Sequence, residues 1–463
     1  MNARVYSIET ASLVGKEILL KGWINARRNM GKIAFLDLRD MKGIVQVVGV
    51  PAEVDEDSQE ELKKLRPEWV VEIEGVVQER GEKQKNPDML TGSVEILAKR
   101  IKVLNEAKTP PFEIDKDTKI INEELRLKYR YLDLRSERLT KNIRLRDKMI
   151  VFFRDYMHKN DFIEVETPIL TKGTPEGARE YIVPSRLYSG KFYVLPQAPQ
   201  QFKQLLMVAG YERYFQIARC FRDEDQRGDR QPEFTQLDYE MSFVNQEDIL
   251  EFTEKMFMDM VKTVAPSKQI SQTPFPRLTW QEAMDKYQTD KPDLRKDKKD
   301  PNELAFAWIL DFPMFEKTED GRINAVHHPF CSVKEGDEGL LDKEPLKVRA
   351  NAYDIVLNGY ELSSGSIRIH KKELQKKIFD ILGISEEEQH QRFGHILEAF
   401  EYGAPPHGGF APGIDRIAMI LSGEPNIREV IAFPKTSDAR DLMVDSPSEL
   451  TSEILKDAHI KVD

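Results

Sequence analysis

The sequence predicts an α+β protein of several domains, in which a small β-barrel precedes a larger domain of mixed strands and helices. The chain has 463 residues, too many for one ordinary hydrophobic core. Five short segments rich in valine and isoleucine occupy about the first hundred residues. The remainder mixes strand and helix patterns without the regular βαβ spacing that is typical of a parallel sheet.

The barrel is predicted between Glu17 and Val103. Glycine, asparagine or aspartate turn signals separate its five strand segments, and one helical stretch, Ser58–Pro67, follows the third of them. Five strands with a helix after the third are typical of an OB-fold barrel.

Phe35 lies on the outer face of the second predicted strand, KIAFLDLRD, opposite three aliphatic residues. One interpretation is a stacking platform for an unpaired base, with Arg27 and Arg28 nearby to meet phosphate. The other is a phenylalanine partly covered by a loop. Both interpretations stay open.

Composition excludes some classes of protein and leaves others open. A net charge of −11 disfavours non-specific nucleic-acid binding through bulk charge, but it permits a local basic surface. The two cysteines, Cys220 and Cys331, lack metal-ligand spacing, which argues against a structural zinc and favours a reducing cytoplasm. No apolar run approaches a membrane span, and we expect neither a membrane protein nor a signal peptide.

We predict three parts: residues 1–105 as the barrel, 106–136 as a linker, and 137–463 as the larger domain. The linker segment contains Pro110 and Pro111 and has no hydrophobic periodicity over its first twenty residues. An amphipathic helix is predicted directly after it.

The segment FRDEDQRGDRQPEF combines many opposed charges. Acidic neighbours would hold the guanidinium of Arg222 in one orientation, suited to a phosphate or a carboxylate. Glu224 could accept hydrogen bonds from a base or an amine, and Phe234 could stack under a planar ring. Taken alone, an ion-paired hairpin explains the same residues.

Three further segments carry candidate residues. In GGFAPGIDRIAMIL we expect a glycine-rich loop that leads into a helix carrying Arg416. In YDIVLNGYELSSGSIRIH we expect one alternating strand, on which Asp354, Glu361 and Arg368 could hold a divalent cation and a carboxylate. An exposed arginine and a solvated strand face are the alternatives.

LPQAPQQFKQLLM places Gln200 and Lys203 at a strand-to-helix corner, where they could recognise a small polar ligand or cap the helix. His327 and His328 form a rare histidine pair, although buried core histidines are the more frequent outcome. The chain has no P-loop or dinucleotide-binding glycine motif, so any use of ATP must take another route.

Taken together in this order, these segments resemble the class II aminoacyl-tRNA synthetases, and among them the bacterial aspartyl enzymes. ETPIL, FRDED with RQPEFTQLDYE, and GIDR resemble motifs 1, 2 and 3, and TPEGARE, TDKPDLR, HHPF and SIRIH resemble other segments of that family. The resemblance covers nearly the whole chain. It implies an anticodon-binding OB-fold, a catalytic antiparallel sheet flanked by helices, and a cytoplasmic homodimer formed through motif 1 around Pro168.

The implied reaction joins L-aspartate and ATP into aspartyl-adenylate and then transfers aspartate to the terminal adenosine of aspartate tRNA. For ATP the resemblance implies Arg222, Glu224, Phe234, Glu361 and Arg416, with Arg222, Glu224 and Arg416 catalytic. For L-aspartate it implies Glu176, Gln200, Lys203, Asp238, His327 and Arg368. For Mg²⁺ it implies Asp354 and Glu361. For the anticodon it implies Arg27, Arg28, Phe35, Gln46 and Glu95.

The chain also departs from the family. The inserted domain usual between motifs 2 and 3 is missing, and residues 296–302 form a short join instead. Met30 stands where enzymes that charge both aspartate and asparagine tRNAs often carry histidine, which favours the strict form. The alternatives are an enzyme that charges both tRNAs, an asparaginyl or lysyl enzyme, and an inactive tRNA-binding paralogue.

Overall fold

The computed structural model describes residues 3–173 and 177–462. These residues divide into two compact units, Met1–Arg138 and Leu139–Asp463. No helix in the described ranges is both long enough and apolar enough to span a bilayer.

The first unit is built on a closed five-stranded barrel in the order β1-β2-β3-β5-β4. Its strands are β1 Glu17–Met30, β2 Ile33–Arg39, β3 Ile44–Gly49, β4 Val70–Glu79 and β5 Val94–Asn105. Helix α1, Glu56–Lys64, follows β3 and begins at Asp55, whose side chain accepts a hydrogen bond from the amide of Ser58. The β3–β5 pair is parallel and the other neighbouring pairs are antiparallel.

Every second side chain along the strands points into the barrel and fills its interior. In β2 the side chains of Ala34, Leu36 and Leu38 are buried, whereas Phe35 and Asp37 on the opposite face are partly exposed. The period-two prediction for this strand is therefore confirmed. Burial of the aliphatic face is the main favourable contribution to barrel stability.

The segment that follows the barrel is more ordered than an irregular linker. It contains a 3₁₀ turn at Thr118–Ile120, helix α2 at Glu123–Lys128 and helix α3 at Arg130–Asp133. The buried carboxylate of Asp133 accepts a hydrogen bond from Thr118 Oγ1 at 2.6 Å and pairs with Arg126 at 3.2 Å and Arg130 at 2.9 Å. These contacts order a segment whose sequence has no hydrophobic periodicity.

The second unit contains an eight-stranded sheet in the order β12-β14-β17-β18-β19-β10-β9-β6. Its central strands are antiparallel, and a parallel pair lies at each edge. The strands of this sheet are β6 Ile163–Glu164, β9 Arg213–Phe221, β10 Glu233–Ser242, β12 Arg277–Thr279, β14 Phe306–Leu310, β17 Ala352–Leu357, β18 Tyr360–Ile367 and β19 His407–Phe410. Two-stranded pairs are formed by β7 Ile182–Pro184 with β8 Phe192–Val194, β11 Gln269–Ile270 with β13 Glu303–Leu304, and β15 Phe315–Lys317 with β16 Ile323–Ala325.

Helices accompany this sheet. They are α4 Glu137–Lys159, α5 Gln200–Val208, α6 Gln246–Val264, α7 Trp280–Tyr287, α8 Lys372–Ile381, α9 Glu386–Ala399, α10 Ile414–Ser422 and α11 Ser452–Asp457. The amphipathic stripe of α4 buries Met149, Phe153 and Met157 in a core shared with α6 and α10 and with the sheet. Strand β6, which precedes Pro168, is short, since it spans Ile163–Glu164 alone.

Two local predictions were wrong. The single alternating strand expected from Tyr353 is a hairpin, in which β17 turns at Asn358 (φ 52°) and Gly359 (φ 86°) into β18. Strand β17 is buried on both faces, so its sequence has no alternation that would mark where the strand ends. The glycine-rich loop expected near Gly408 is strand β19. At Gly408 and Gly409 this strand packs so closely against its neighbours that a Cβ atom would clash with them.

Candidate active site

A cleft of about 450 Å³ opens beside β10, β17 and β18. It brings together eleven of the residues predicted from sequence, which come from five separate segments of the chain. These residues are Gln200, Lys203, Arg222, Glu224, Phe234, Asp238, His327, Asp354, Glu361, Arg368 and Arg416. Glu176 lies outside the described residues.

Four buried charges form one group at the cleft, which we call the ion cluster: Lys203, Asp238, Glu240 and Arg368. The ammonium of Lys203 lies 2.8 Å from Asp238 Oδ2 and 3.2 Å from Glu240 Oε2. Arg368 donates to Glu240 through Nε at 2.9 Å and through Nη2 at 3.2 Å. Glu240 therefore joins the two cations, and each buried charge has a partner of opposite sign.

Gly409 makes room for the ion cluster. Strand β19 pairs Gly409 directly with Glu240 on β10. A Cβ atom at position 409 would lie 1.8 Å from Glu240 Oε2 and 2.4 Å from the carbonyl oxygen of Tyr239. No side chain fits there, so the glycine is a steric requirement for the carboxylate beside it.

The two carboxyls of the ion cluster differ in proton affinity. Burial would raise the pKa of Glu240, but Arg368 and Lys203 outweigh burial and hold that pKa at about 2. Burial raises the pKa of Asp238 despite the adjacent Lys203. Asp238 Oδ1 is buried without a hydrogen-bond partner, so this carboxyl keeps an oxygen available to a ligand.

Two histidines line the cleft, and one of them, His328, contacts the ion cluster. Arg368 Nη1 donates to His328 Nε2 at 2.8 Å, and burial, followed by the charge of Arg368, holds the pKa of His328 well below its usual range. Burial also lowers the pKa of His327, whose ring meets Phe312 edge-on at 4.5 Å and whose Nε2 is buried without a partner. Both imidazoles are therefore neutral at neutral pH.

A second group of cleft residues, which we call the outer group, consists of Arg222, Glu224, Phe234 and Arg416. The guanidinium of Arg222 lies over the ring of Phe234 at 5.0 Å, and Glu224 pairs with Arg230 at 2.9 Å. Arg222 Nε is buried without a hydrogen-bond partner. The outer group therefore presents an arginine and an aromatic face to the same part of the cleft.

Arg416 ties three segments together. It lies in the first turn of α10, and its Nη1 donates to the carbonyl oxygen of Glu361 at 2.6 Å. Its Nη2 lies 3.1 Å from Asp229 Oδ2 in the loop between β9 and β10. Arg416 is therefore held in one orientation, as a fixed cation must be to act on developing charge.

Asp354 and Glu361, the acidic pair, lie on the two strands of the β17–β18 hairpin. Asp354 Oδ1 is buried without a partner, and burial, followed by the charge of Glu361, raises the pKa of Asp354 well above its usual range. Burial would also raise the pKa of Glu361, but Lys291 and Arg416 outweigh it and hold that pKa at about 2. No group of three or more candidate metal ligands occurs in the described part of the chain. Two carboxylates nevertheless suit Mg²⁺, which often takes one or two carboxylates and completes its shell with water and phosphate oxygens.

In the first unit, the outer face of the barrel carries a row of predicted residues. Arg28 lies opposite Phe35 across the β1–β2 pair, and Gln46 Nε2 donates to Glu95 Oε2 at 3.0 Å. Arg27 lies apart from this row, since its Nη1 donates to the carbonyl oxygen of Leu65 at 2.5 Å. The structure brings together four of the five predicted barrel residues.

Comparison with known proteins identifies the family. Residues 122–437 match the model of the class II tRNA synthetases (D, K and N). The chain belongs to this family. Residues 18–104 match the OB-fold nucleic acid binding domain, which confirms the fold predicted for the barrel.

Relatives of this class II synthetase align along almost its entire length. An aspartate–tRNA(Asp/Asn) ligase of Rubrobacter xylanophilus is 44% identical, with 98% of this chain and 95% of that protein covered. A ligase of the same name from Thermoanaerobacter sp. (strain X514) is 43% identical, with 98% and 97% covered. The asparaginyl-tRNA synthetase of Pyrococcus horikoshii with asparaginyl-adenylate superposes with a TM-score of 0.76 at 23% identity, covering 94% of this chain and 99% of that chain, and it shows the shared fold.

Two residues that contact predicted cleft residues of this synthetase were not read from the predicted motifs. Glu240 contacts Arg368 at 2.9 Å, and Lys291 contacts Glu361 at 2.8 Å. His328, which the sequence singled out only as one of a histidine pair, also contacts Arg368. Glu240 could have been found, because it follows Asp238 by two positions in one strand and so shares its face. Lys291 could not, because a lysine in an irregular segment gives no signal of where its ammonium lies.

Glu240→Gln is expected to destabilise the synthetase in a pH-dependent way. The pKa of Glu240 is depressed, so its stabilising charge is fully present above the unfolded value of about 4.5 and is lost as the pH falls towards 2. At neutral pH the substitution should lower the free energy of unfolding by about 3–5 kcal/mol, as breaking a buried ion pair does. Chemical denaturation at several pH values should show this difference shrinking between about pH 5 and pH 2.

The exposed Glu316 supplies the matched control. Glu316→Gln should change the free energy of unfolding by less than about 0.5 kcal/mol at every pH. A destabilisation by Glu240→Gln that stayed constant down to pH 2 would show that Glu240 acts through packing rather than through its charge.

Proposed function

We propose that the protein is an aspartate–tRNA ligase. It activates L-aspartate with ATP to aspartyl-adenylate and pyrophosphate and then transfers the aspartyl group to the 3′-terminal adenosine of aspartate tRNA. The observation that carries this proposal is the ion cluster, whose two buried cations have donors to spare for one carboxylate. The names of its relatives and the outer group of the cleft support it.

A count of hydrogen-bond donors explains the choice of aspartate. Lys203 has three N–H donors and uses two of them on Asp238 and Glu240. Arg368 has five donors and uses four, two on Glu240, one on His328 and one on Ser366. One N–H is left on each cation, which matches the two oxygens of a side-chain carboxylate.

The side-chain amide of asparagine has only one oxygen. Its N–H₂ group would therefore face the free N–H donor of Lys203 or Arg368, and two donors would meet without an acceptor. Buried mismatches of this kind can reject an isosteric ligand by roughly 10⁴-fold. A lysine side chain would add a third cation beside Lys203 and Arg368. The asparaginyl and lysyl alternatives are therefore disfavoured.

Adenylation is an in-line displacement at the α-phosphorus, in which a carboxylate oxygen of aspartate attacks and pyrophosphate leaves. Arg222 and Arg416 would bind the phosphate oxygens on which negative charge develops. Phe234 and Arg416 would enclose the adenine ring, and Glu224 would accept hydrogen bonds from its edge. The family uses ATP as a substrate, and Mg²⁺ held by Asp354 and Glu361 would neutralise phosphate charge.

The amino group of aspartate needs acceptors near the ion cluster. Gln200 lies at the start of α5 and lines the cleft, and its Nε2 donates to Gln204 at 3.1 Å, which leaves its oxygen directed to other partners. We assign the amino group to Gln200 together with Glu176, which lies outside the described residues. Asp238 also lines the cleft, and its Oδ1, buried without a hydrogen-bond partner, would be a further acceptor for this amino group.

The barrel would bind the anticodon through the outer row of Arg28, Phe35, Gln46 and Glu95, and Arg27, which lies apart from this row, would meet phosphate. Phe35 offers its ring to one base, and the Gln46–Glu95 pair offers donors and acceptors to a base edge. A homodimer through motif 1 is supported by the exposure of Ile169 at 38% and Leu170 at 52% beside Pro168. A ligase of this kind works with its tRNA in the cytoplasm.

An enzyme that charges both aspartate and asparagine tRNAs is the second candidate. The relatives from Rubrobacter and Thermoanaerobacter both carry the name aspartate–tRNA(Asp/Asn) ligase, which favours it. Met30, exposed at 72% at the end of β1, favours the strict form as the sequence predicted. The two candidates differ in the anticodon accepted and share the cleft chemistry.

We also propose where this chain lacks the inserted domain that is usual in the family. The alignment with the Rubrobacter ligase spans 576 positions and this chain has 463 residues, so at least 113 positions (576 minus 463) face a gap in this chain. We place that gap at residues 296–302. There Glu303 accepts hydrogen bonds from the amides of Lys296 and Asp297, both at 3.0 Å, so the join is a folded turn.

Pyrophosphate exchange tests the proposed reaction. Exchange should require L-aspartate, and Arg222→Ala should reduce it by at least about 10²-fold, because a fixed cation at the developing charge is lost. Arg227→Ala, at an exposed arginine of the same loop, is the matched control and should leave exchange within about threefold. Exchange driven equally by asparagine or lysine would reject the substrate, and no exchange with any amino acid would favour the inactive paralogue.

Phe35→Ala should weaken the binding of aspartate tRNA by about 1–3 kcal/mol, the contribution of one stacked base. Tyrosine should restore the affinity, since Phe35→Tyr keeps the stacking face, whereas Phe35→Leu should not. Filter binding of tRNA and tRNA-free pyrophosphate exchange are measured side by side. A parallel loss of exchange would mean that Phe35 supports the fold instead.

Aminoacylation of purified aspartate and asparagine tRNAs with labelled aspartate separates the two candidates. The strict form should charge the second tRNA at least about 10³-fold less efficiently, since one wrong anticodon base leaves buried polar groups unpaired. Comparable charging of both would establish the wider specificity. The substitution Met30→His should then change the ratio and leave exchange unaltered.

A further inference from the structure

Lys291 reaches the acidic pair from a segment to which no role has been assigned. It belongs to TDKPDLR, residues 289–295, which directly precedes the short join. Its Nζ lies 2.8 Å from Glu361 Oε2, and its side chain is 38% exposed and lines the cleft. Among the described residues, Lys291 is the cation that directly contacts the side-chain oxygens of Glu361 within 3 Å.

The segment around Lys291 is held in place. Arg295 donates to Asp293 through Nε at 3.0 Å and Nη2 at 2.8 Å, and Thr289 Oγ1 accepts from the amide of Lys291 at 3.1 Å. A Cβ at Gly359, in the β17–β18 turn, would lie 3.4 Å from the Cβ of Asp293. The lysine therefore reaches Glu361 from a fixed backbone packed against the same hairpin that carries the acidic pair.

Of the two cations near Glu361, only Lys291 makes a close contact with its carboxylate. Arg416 lies 4.0 Å from Glu361 Oε1, but its short hydrogen bond goes to the backbone oxygen of that residue and its ion pair goes to Asp229. Asp354 adds a buried oxygen without a partner. A divalent cation between Asp354 and Glu361 would need the carboxylate of Glu361 as a ligand. That carboxylate is already paired with the ammonium of Lys291.

We propose that Lys291 is a resident counter-cation that competes with the divalent cation for Glu361 and leaves this carboxylate when the cation binds. The lysine keeps the acidic pair neutralised, so that a bare metal ion binds weakly and the metal enters together with the nucleotide phosphates. A single carboxylate oxygen cannot contact both cations closely, because their mutual repulsion opposes it. This inference rests on the proposed function, since it gives the cleft to a metal–nucleotide substrate.

Mn²⁺ alone is the probe, because the paramagnetic resonance signal of the free ion measures binding without nucleotide, aspartate or tRNA. Lys291→Met removes the charge and keeps the length of the side chain. It should tighten Mn²⁺ binding by at least about tenfold, since one adjacent cation commonly shifts a carboxylate equilibrium by about one pKa unit or more. Lys299→Met, at an exposed lysine of the join, is the control and should leave the affinity unchanged.

Glu361→Gln provides the internal test. In this background Lys291→Met should no longer change Mn²⁺ binding, because the shared carboxylate is gone. Unchanged or weaker binding by Lys291→Met in the otherwise native protein would overturn the proposal. It would indicate a lysine that contacts phosphate, and the KM for ATP would then rise while Mn²⁺ affinity stayed constant.

The native protein gives a second readout that needs no substitution. Mn²⁺ should raise the rate at which acetic anhydride labels Lys291 relative to Lys299, measured by mass spectrometry, because the released ammonium becomes accessible. Labelling that does not change while Mn²⁺ binds would also overturn the proposal. Aspartate-dependent exchange is scored separately, so failure of the ligase proposal and failure of the counter-cation proposal are distinguishable.

Discussion

The rest of the cleft depends on the buried ion pair between Glu240 and Arg368. Arg368 is 2% exposed and could not be buried as a cation without this carboxylate. The pair fixes the donors of Arg368 and orders Lys203 through the second oxygen of Glu240. Beside it, burial and then the charge of Arg368 hold the pKa of His328 well below its usual range. The two cations proposed to select the amino acid can stay buried only because two carboxylates accompany them.

The sequence predicted the general plan and most of the cleft residues, because motif order and strand alternation are visible in a linear chain. It predicted β2 correctly, since that strand has one wet face, and it failed for the β17–β18 hairpin, where both faces are buried. Partners within the cleft were harder to predict. That Arg416 bonds the backbone of Glu361, or that Arg222 covers Phe234, depends on distances between segments far apart in sequence.

The acidic pair and the outer group differ from the ion cluster in burial and in how completely their polar groups are paired. There, Glu361, Asp229 and Arg416 are only partly buried, and one buried oxygen of Asp354 has no partner. In the proposed function, the bound substrate would supply the contacts that these side chains lack. The ion cluster is preassembled, whereas the proposed nucleotide site would be completed only on binding.

Strand β18 carries Glu361 at its start, and Arg368 directly follows its end. At a rise of about 3.3 Å per residue, the strand sets the two roughly 20 Å apart. Under the roles proposed for these residues, changes near Arg368 would alter which amino acid is accepted and would leave the phosphate chemistry near Glu361 intact. With the proposed roles at opposite ends of one strand, the same nucleotide-binding end would serve enzymes that select different amino acids, and the family to which this chain belongs groups synthetases of the D, K and N types.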